Sequence, residues 1–347
     1  MPYRIHYPCG TLNNSITIDS ILNSLWPELK KRTNFVTHDD LINYTVSMHF
    51  ERVDDIAYAD FIHIPSDYRI ENYDYFREVH DRLPNGIPML IMYNNDDAGS
   101  IDLPNALILR TSMYASAKKA NEFSLPCWVH SVESFDTDES DQEIAYNQFP
   151  KISYCGYTLL PRKTLLSYGK RILDQLFAPL LSPIQIPGDI LRNHVTNRLI
   201  ESQELCSFIV RPQFWGHSAQ SNKDRLQYFA NMIENRYALL MKGGGNFSNR
   251  FYEAYAFGRI PIVINTELVL PFDWIIDYAS IGIWAEWPEI SMLRKEIERH
   301  IHDSTVDKIQ REVSTVRSIY KEYLRIDGFM SKFNLIVDRF YQVRKVR

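Results

Sequence analysis

The sequence predicts an α/β protein built as two domains. Short apolar runs bounded by glycine, proline or polar residues recur along it, at residues 87–93, 106–112, 237–241 and 260–264, each with the length of a buried strand. Segments of helical apolar period alternate with these runs, as they do when crossover helices cover a parallel sheet. The length of 347 residues suits two domains of ordinary size, each able to bury a core.

Composition narrows the function classes. An apolar share of 45% with 13% aromatic residues fits a folded chain rather than a disordered one. A formal charge of -5 argues against a general nucleic-acid binder. Arg339, Arg344, Lys345 and Arg347 near the end are few enough for a solvated helix end. No segment reaches the roughly 18 continuous apolar residues of a membrane span, and the first residues lack a signal-peptide core. Cys9, Cys127, Cys155 and Cys206 are spread without metal-type pairs or a disulfide framework, as buried thiols in a reducing compartment would be. The expectation is a cytoplasmic protein of bacterial or viral type, with peripheral membrane contact left open.

In chain order, residues 11–26 carry an amphipathic helical pattern through Ile18, Ile21, Leu22 and Leu25. Residues 60–67 read as a strand that ends in polar residues. In an open α/β sheet ligands collect at the carboxyl ends of strands, which makes His63, Ser66 and Asp67 candidates for a cleft. The strand at 87–93 runs into Asn94, Asn95, Asp96 and Asp97, a polar cluster at the same kind of position or a plain solvated turn. A third strand at 106–112 brings Arg110 and Ser112 to its end. His130 and Glu133 follow, and the acidic stretch 134–147 reads as a solvated linker, with a metal site as the sharper alternative.

A strand opens at 150–156, a helical pattern covers 165–181, and a further strand at 207–211 leads into Arg211 and Trp215. Arg211 can meet a diphosphate and Trp215 can stack on a base or sugar, although loop aromatics are often packing residues. After an amphipathic helix at 223–235 comes the central unit of strand, glycine loop, helix and strand over 237–265. Gly243, Gly244 and Gly245 allow close backbone approach. Asn246 or Ser248 can cap the helix, and Phe251, Ala254, Tyr255 and Gly258 form its small or apolar face. Unpaired amides at such a helix start suit a phosphate, Arg250 adds a forked cation, and Glu253 can accept ribose hydroxyls. The bland alternative is a tight turn with Arg250 and Glu253 paired at the surface. Beyond it, Pro271 is placed to open a helix through Trp274, Ile275 and Ile276. A strand at 281–285 and helices at 292–323 and 329–343 complete the chain.

These residues also carry a resemblance. Ser-x-Arg-Phe-x-Glu at 248–253, Gly-Arg-Ile-Pro at 258–261 and Leu-Pro-Phe at 270–272 resemble the signature of the exostosin family of glycosyltransferases. Weaker similarities lie at 59–65, at Arg110 to Ser112, at Leu125 to Trp128 and in the strand at 150–156. The resemblance implies a GT-B architecture, two Rossmann-like domains facing each other across a cleft. Residues 1–148 would form the acceptor side and 149–347 the nucleotide-sugar side, with the last helices packing back on the first domain. It also implies transfer of a sugar from a nucleotide diphosphate, usually a UDP-sugar, to a hydroxyl of a glycan or lipid-linked glycan. Carried over by position, Ser248, Arg250 and Glu253 belong to the donor site, with Glu253 on the ribose. GT-B enzymes neutralise the leaving phosphates with helix dipoles, amides and cations, so no metal and no further cofactor is expected. An inverting reaction needs a base, for which Asp96, Asp97, His63 and His130 are candidates. A Rossmann oxidoreductase is disfavoured, because the loop lacks Gly-x-Gly-x-x-Gly and the acidic residue that follows it. A non-catalytic glycan- or nucleotide-sugar-binding protein of the same fold is the remaining alternative.

Overall fold

A computed structural model describes residues 1–8, 22, 25, 40–64, 68, 72–84, 86–128, 151–158, 176–200, 205–211 and 222–345. They divide into two units, one of Met1–Pro126, Val269–Phe272 and Glu322–Arg347, the other of Cys127–Leu268 and Asp273–Lys321. Most of the helices expected at 11–26 and 165–181, the acidic stretch 134–147 and the boundary expected at 148 lie outside the described residues.

The first unit holds β1 (Tyr3–His6), α1 (Asp40–His49), β2 (Phe50–Arg52), β3 (Phe61–Ile62), α2 (Tyr73–Asp81), β4 (Met89–Tyr93), β5 (Ala106–Arg110) and β6 (Glu122–Ser124). Its strands form one parallel sheet in the order β2-β1-β3-β4-β5-β6. Every residue of β4 and β5 is buried. A parallel sheet is covered on both faces, which is why these strands read as continuous apolar runs rather than alternating ones.

The second unit holds β7 (Ile152–Tyr157), α3 (Gly188–Ile200), β8 (Cys206–Arg211), α4 (Asn222–Ile233), β9 (Tyr237–Leu240), α5 (Asn249–Ala256), β10 (Ile260–Asn265), β11 (Ile283–Glu286), α6 (Leu293–His302) and α7 (Val306–Ile319). Its parallel sheet has the order β11-β10-β9-β7-β8. Counted within each unit, both sheets therefore begin with the doubly wound order second, first, third, fourth, fifth. Such a sheet changes winding direction between its first and third strands, and ligands collect at the carboxyl ends there. The two places are β1/β3 and β7/β9.

Two expected helices take another form. Residues 271–275 are turns and only a 3-10 turn, Tyr278–Ser280, follows. Phe272 has φ 56, a left-handed conformation that cannot continue a right-handed helix from Pro271. The long helix expected at 292–323 is divided, because Thr305 caps a new helix by accepting from the Lys308 amide at 3.2 Å. The chain ends in α8 (Ile326–Ser331) and α9 (Phe333–Lys345), which belong to the first unit. There Phe333 meets Tyr3 and Phe50 edge to face, both with centroids 5.3 Å away.

Candidate functional site

The loop between β9 and α5 stands at the β7/β9 switch point and is braced on two sides. The Gly243 amide donates to Phe247 O at 2.7 Å, closing the glycine turn on itself. Gly188, at the start of α3, comes so near that a Cβ there would lie 1.9 Å from Gly243 O, so only glycine fits. Asn246 is 1% exposed. Its side-chain amide donates to Thr266 O at 3.0 Å and Glu267 O at 3.1 Å, while Thr266 Oγ1 donates back to Asn246 Oδ1 at 2.7 Å. Asn246 thus ties the loop to the exit of β10, where Glu267 holds a φ of 60. Ser248 occupies the N-cap of α5 with extended φ and ψ but makes no side-chain cap bond. Gly245 is buried, whereas Gly244 and Asn249 are exposed, so the mouth of the loop faces solvent.

Charge collects behind this loop. Lys242 is buried, its Nζ donates to Pro183 O at 2.7 Å, and burial lowers its pKa to about 8. Arg250 and Glu253 are 7% and 8% exposed, which overturns the alternative of a surface ion pair. Arg250 Nη1 donates to Cys155 O at 3.3 Å and Nη2 to Ser153 Oγ at 3.2 Å, both on β7. The guanidinium also lies over the rings of Tyr154 and Tyr228, 5.6 and 5.1 Å from their centroids. Glu253 accepts the Tyr228 hydroxyl at Oε2. Burial pushes the Glu253 carboxyl upward, opposed by the Tyr228 bond and the positive charges of Arg250 and Arg225. A cation and an acceptor are therefore fixed on consecutive turns of α5. The site can meet phosphate charge at its loop and a hydroxyl one turn later.

Other expected donor residues have separate placements. Arg211, at the end of β8, pairs with Asp224 Oδ1 at 2.5 Å and donates to Asp224 O at 3.0 Å, so its fork is engaged within the second unit. Trp215 lies outside the described residues. The sequence reading missed Tyr228, Ser153 and Cys155. Tyr228 is on the sheet-facing side of α4 with Phe229 and Met232, where spacing alone reads it as core. β7 offers no local sign that an arginine far along the chain will reach it.

In the first unit, His63 follows β3 at the other switch point and is 1% exposed. Its Nδ1 lies 2.8 Å from Leu90 O and burial lowers its pKa to about 4, so the ring is neutral with Nδ1–H donating. Asp97 accepts from Tyr93 Oη and the Gly99 amide, both at 3.0 Å, which places its carboxylate within a turn. Arg110, buried against Glu122 at 2.8 Å, donates to the carbonyls of Asp97 and Gly99, and Ser112 Oγ donates to Asp96 O. The end of β5 thereby fixes the turn. Asp96 is exposed at its tip. His130, Ser66 and Asp67 lie outside the described residues. Among the described residues no three His, Cys, Asp or Glu side chains group as a metal site, and no helix is long and apolar enough to cross a membrane.

No protein-family model matches the sequence. A probable glucuronosyltransferase 47 A of Physcomitrium patens is 30% identical over 81 residues, which make up 23% of this chain and 18% of that protein. Among solved structures, a glycosyltransferase from Rickettsia africae ESF-5 is similar at 12% identity and a TM-score of 0.43, over 98% of this chain and 99% of that one. Sucrose-phosphate synthase from Thermosynechococcus elongatus is similar at 13% identity and a TM-score of 0.42, over 82% of this chain and 74% of that one.

Proposed function

We propose that this chain is a glycosyltransferase that takes a sugar from a nucleotide diphosphate, a UDP-sugar, and passes it to a hydroxyl of a glycan or lipid-linked glycan. One observation carries the proposal. Arg250 and Glu253 are held buried on successive turns of the helix that leaves a glycine loop, at the switch point of a doubly wound sheet. The exostosin-like motifs at 248–253, 258–261 and 270–272, and the local similarity to a probable glucuronosyltransferase, support it.

The diphosphate would rest on the loop amides beyond Lys242 and the amino end of α5, with Arg250 and Lys242 supplying positive charge. Fixed dipoles aimed at growing phosphate charge lower the barrier to departure of the leaving group. Glu253 would accept a ribose hydroxyl. Direct attack by the acceptor inverts the anomeric centre and needs a base to take the acceptor's proton. Of the described candidates Asp96 is proposed for that role, since it is exposed while Asp97 serves the turn and His63 is buried. The amides and cations take the place of a metal, so transfer should persist in excess EDTA.

Thermal shift with UDP, GDP and NAD tests the proposal. A ligand at about a hundred times its dissociation constant adds about 2.7 kcal/mol to the native state. A rise in melting temperature with UDP and none with NAD is expected. A rise with NAD alone would contradict the assignment, and binding of UDP-sugars without transfer to any glycan would favour the non-catalytic alternative.

A further inference from the structure

We propose that Tyr228 is a positioning residue for the ribose, its hydroxyl clamping Oε2 of Glu253 so that Oε1 is presented to a hydroxyl of the sugar. The inference rests on the nucleotide site proposed above. Tyr228 is 8% exposed and reaches the carboxylate from α4, a different helix from the one that carries Glu253. Its ring is held between the Arg250 guanidinium, 5.1 Å from the centroid, and the Phe229 ring, edge to face at 5.2 Å. A phenol fixed in this way cannot follow a rotating carboxylate, so the carboxylate is held to the phenol. Rotation about the last bond of a glutamate is otherwise broad. Among the described residues Oε1 makes no hydrogen bond, leaving it as the acceptor for an incoming donor.

The clamp also opposes protonation of the carboxylate. The groups that act on Glu253 are Arg250 on its own helix and Arg225 and Tyr228 on α4, with Cys155 of β7 acting on Tyr228. Burial drives the carboxyl upward, and the Tyr228 bond is foremost among the forces holding it down. Without the hydroxyl the carboxyl protonates at higher pH, and a protonated acid is a poorer acceptor for a ribose hydroxyl.

The test is calorimetric titration of the full chain with UDP and with 2′,3′-dideoxy-UDP from pH 5.5 to 8.5, for the native protein and Tyr228→Phe. The native protein is expected to prefer UDP by about tenfold, as loss of a charge-assisted bond implies. In Tyr228→Phe that preference should fall below about threefold at pH 5.5 and recover towards pH 8.5, with dideoxy-UDP affinity unchanged throughout. A role in packing alone would weaken both ligands equally at every pH. Tyr228→Met serves if the phenylalanine variant does not fold. Native preference retained at all pH values in a folded variant overturns the inference and leaves the nucleotide site standing. Native binding of UDP and dideoxy-UDP with equal affinity also overturns it, and absence of UDP binding by the native protein overturns the site as well.

Discussion

A carboxylate taken out of water is costly unless charges and donors replace its hydration, and Glu253 has these from Arg250 on its own helix and from Tyr228 and Arg225 on α4. Glu253→Gln keeps the shape and removes the charge. UDP should bind about 10- to 100-fold more weakly, the worth of a bond to a charged acceptor, while the melting temperature stays near native. Equal affinity in calorimetry would remove Glu253 from the site. His63 supplies a second test at this scale. Its folded pKa of about 4 lies below the ordinary 6.5, so its contribution is complete above pH 6.5 and is lost as pH falls through 4. A gap of about 2.5 corresponds to about 3 kcal/mol. His63→Asn should therefore flatten the fall in stability between pH 6.5 and 4 in urea titrations, and an unchanged slope would contradict the buried neutral ring. Arg250 and Glu253 were legible as candidates from residue type and spacing. Their burial was not, because it depends on Ser153, Cys155 and Tyr228, which only the sheet order brings near.

At the level of elements, the strand, glycine loop, helix and strand at 237–265 form as their local chemistry suggests. Tyr237–Leu240 is a buried apolar run, and Gly258, at φ 65, ends α5 where a Cβ would meet Arg317 Nε at 2.6 Å. The helix after Pro271 was misread because proline favours a helix start but does not compel one, and Phe272 at positive φ turns the chain away. β1 and β2 escaped notice because they are short and only partly buried, with too few residues for a period to show. The loop itself depends on Gly188, which no pattern near residue 243 points to. Gly188→Ala forces α3 or the loop aside. It should cost about 1–3 kcal/mol, the range for overpacking, and weaken UDP binding as well. Melting and binding both at native values would mean that the close approach is not needed.

Over the whole molecule, two parallel sheets of like order define the architecture, and each has one switch point. The α/β class was legible because buried parallel strands write continuous apolar runs, and the division into two domains because 347 residues suit two cores. The membership of residues 322–347 in the first unit was not legible from residue pattern, since an amphipathic helix does not say which core it covers. Deleting residues 322–347 uncovers Tyr3, Phe50 and Phe61 beneath Phe333. Hydrogen exchange should then show lost protection in β1 to β6 with β7 to β11 retained, and uniform native protection would contradict the assignment of those helices. The proposed function puts a nucleotide diphosphate where β9 gives way to α5. A crystal structure of the chain with UDP would locate it. The diphosphate is expected within hydrogen-bond distance of amides among residues 244–250, with a ribose hydroxyl on Glu253. A nucleotide bound elsewhere, with the loop at 243–248 closed by its own side chains, would rule this site out.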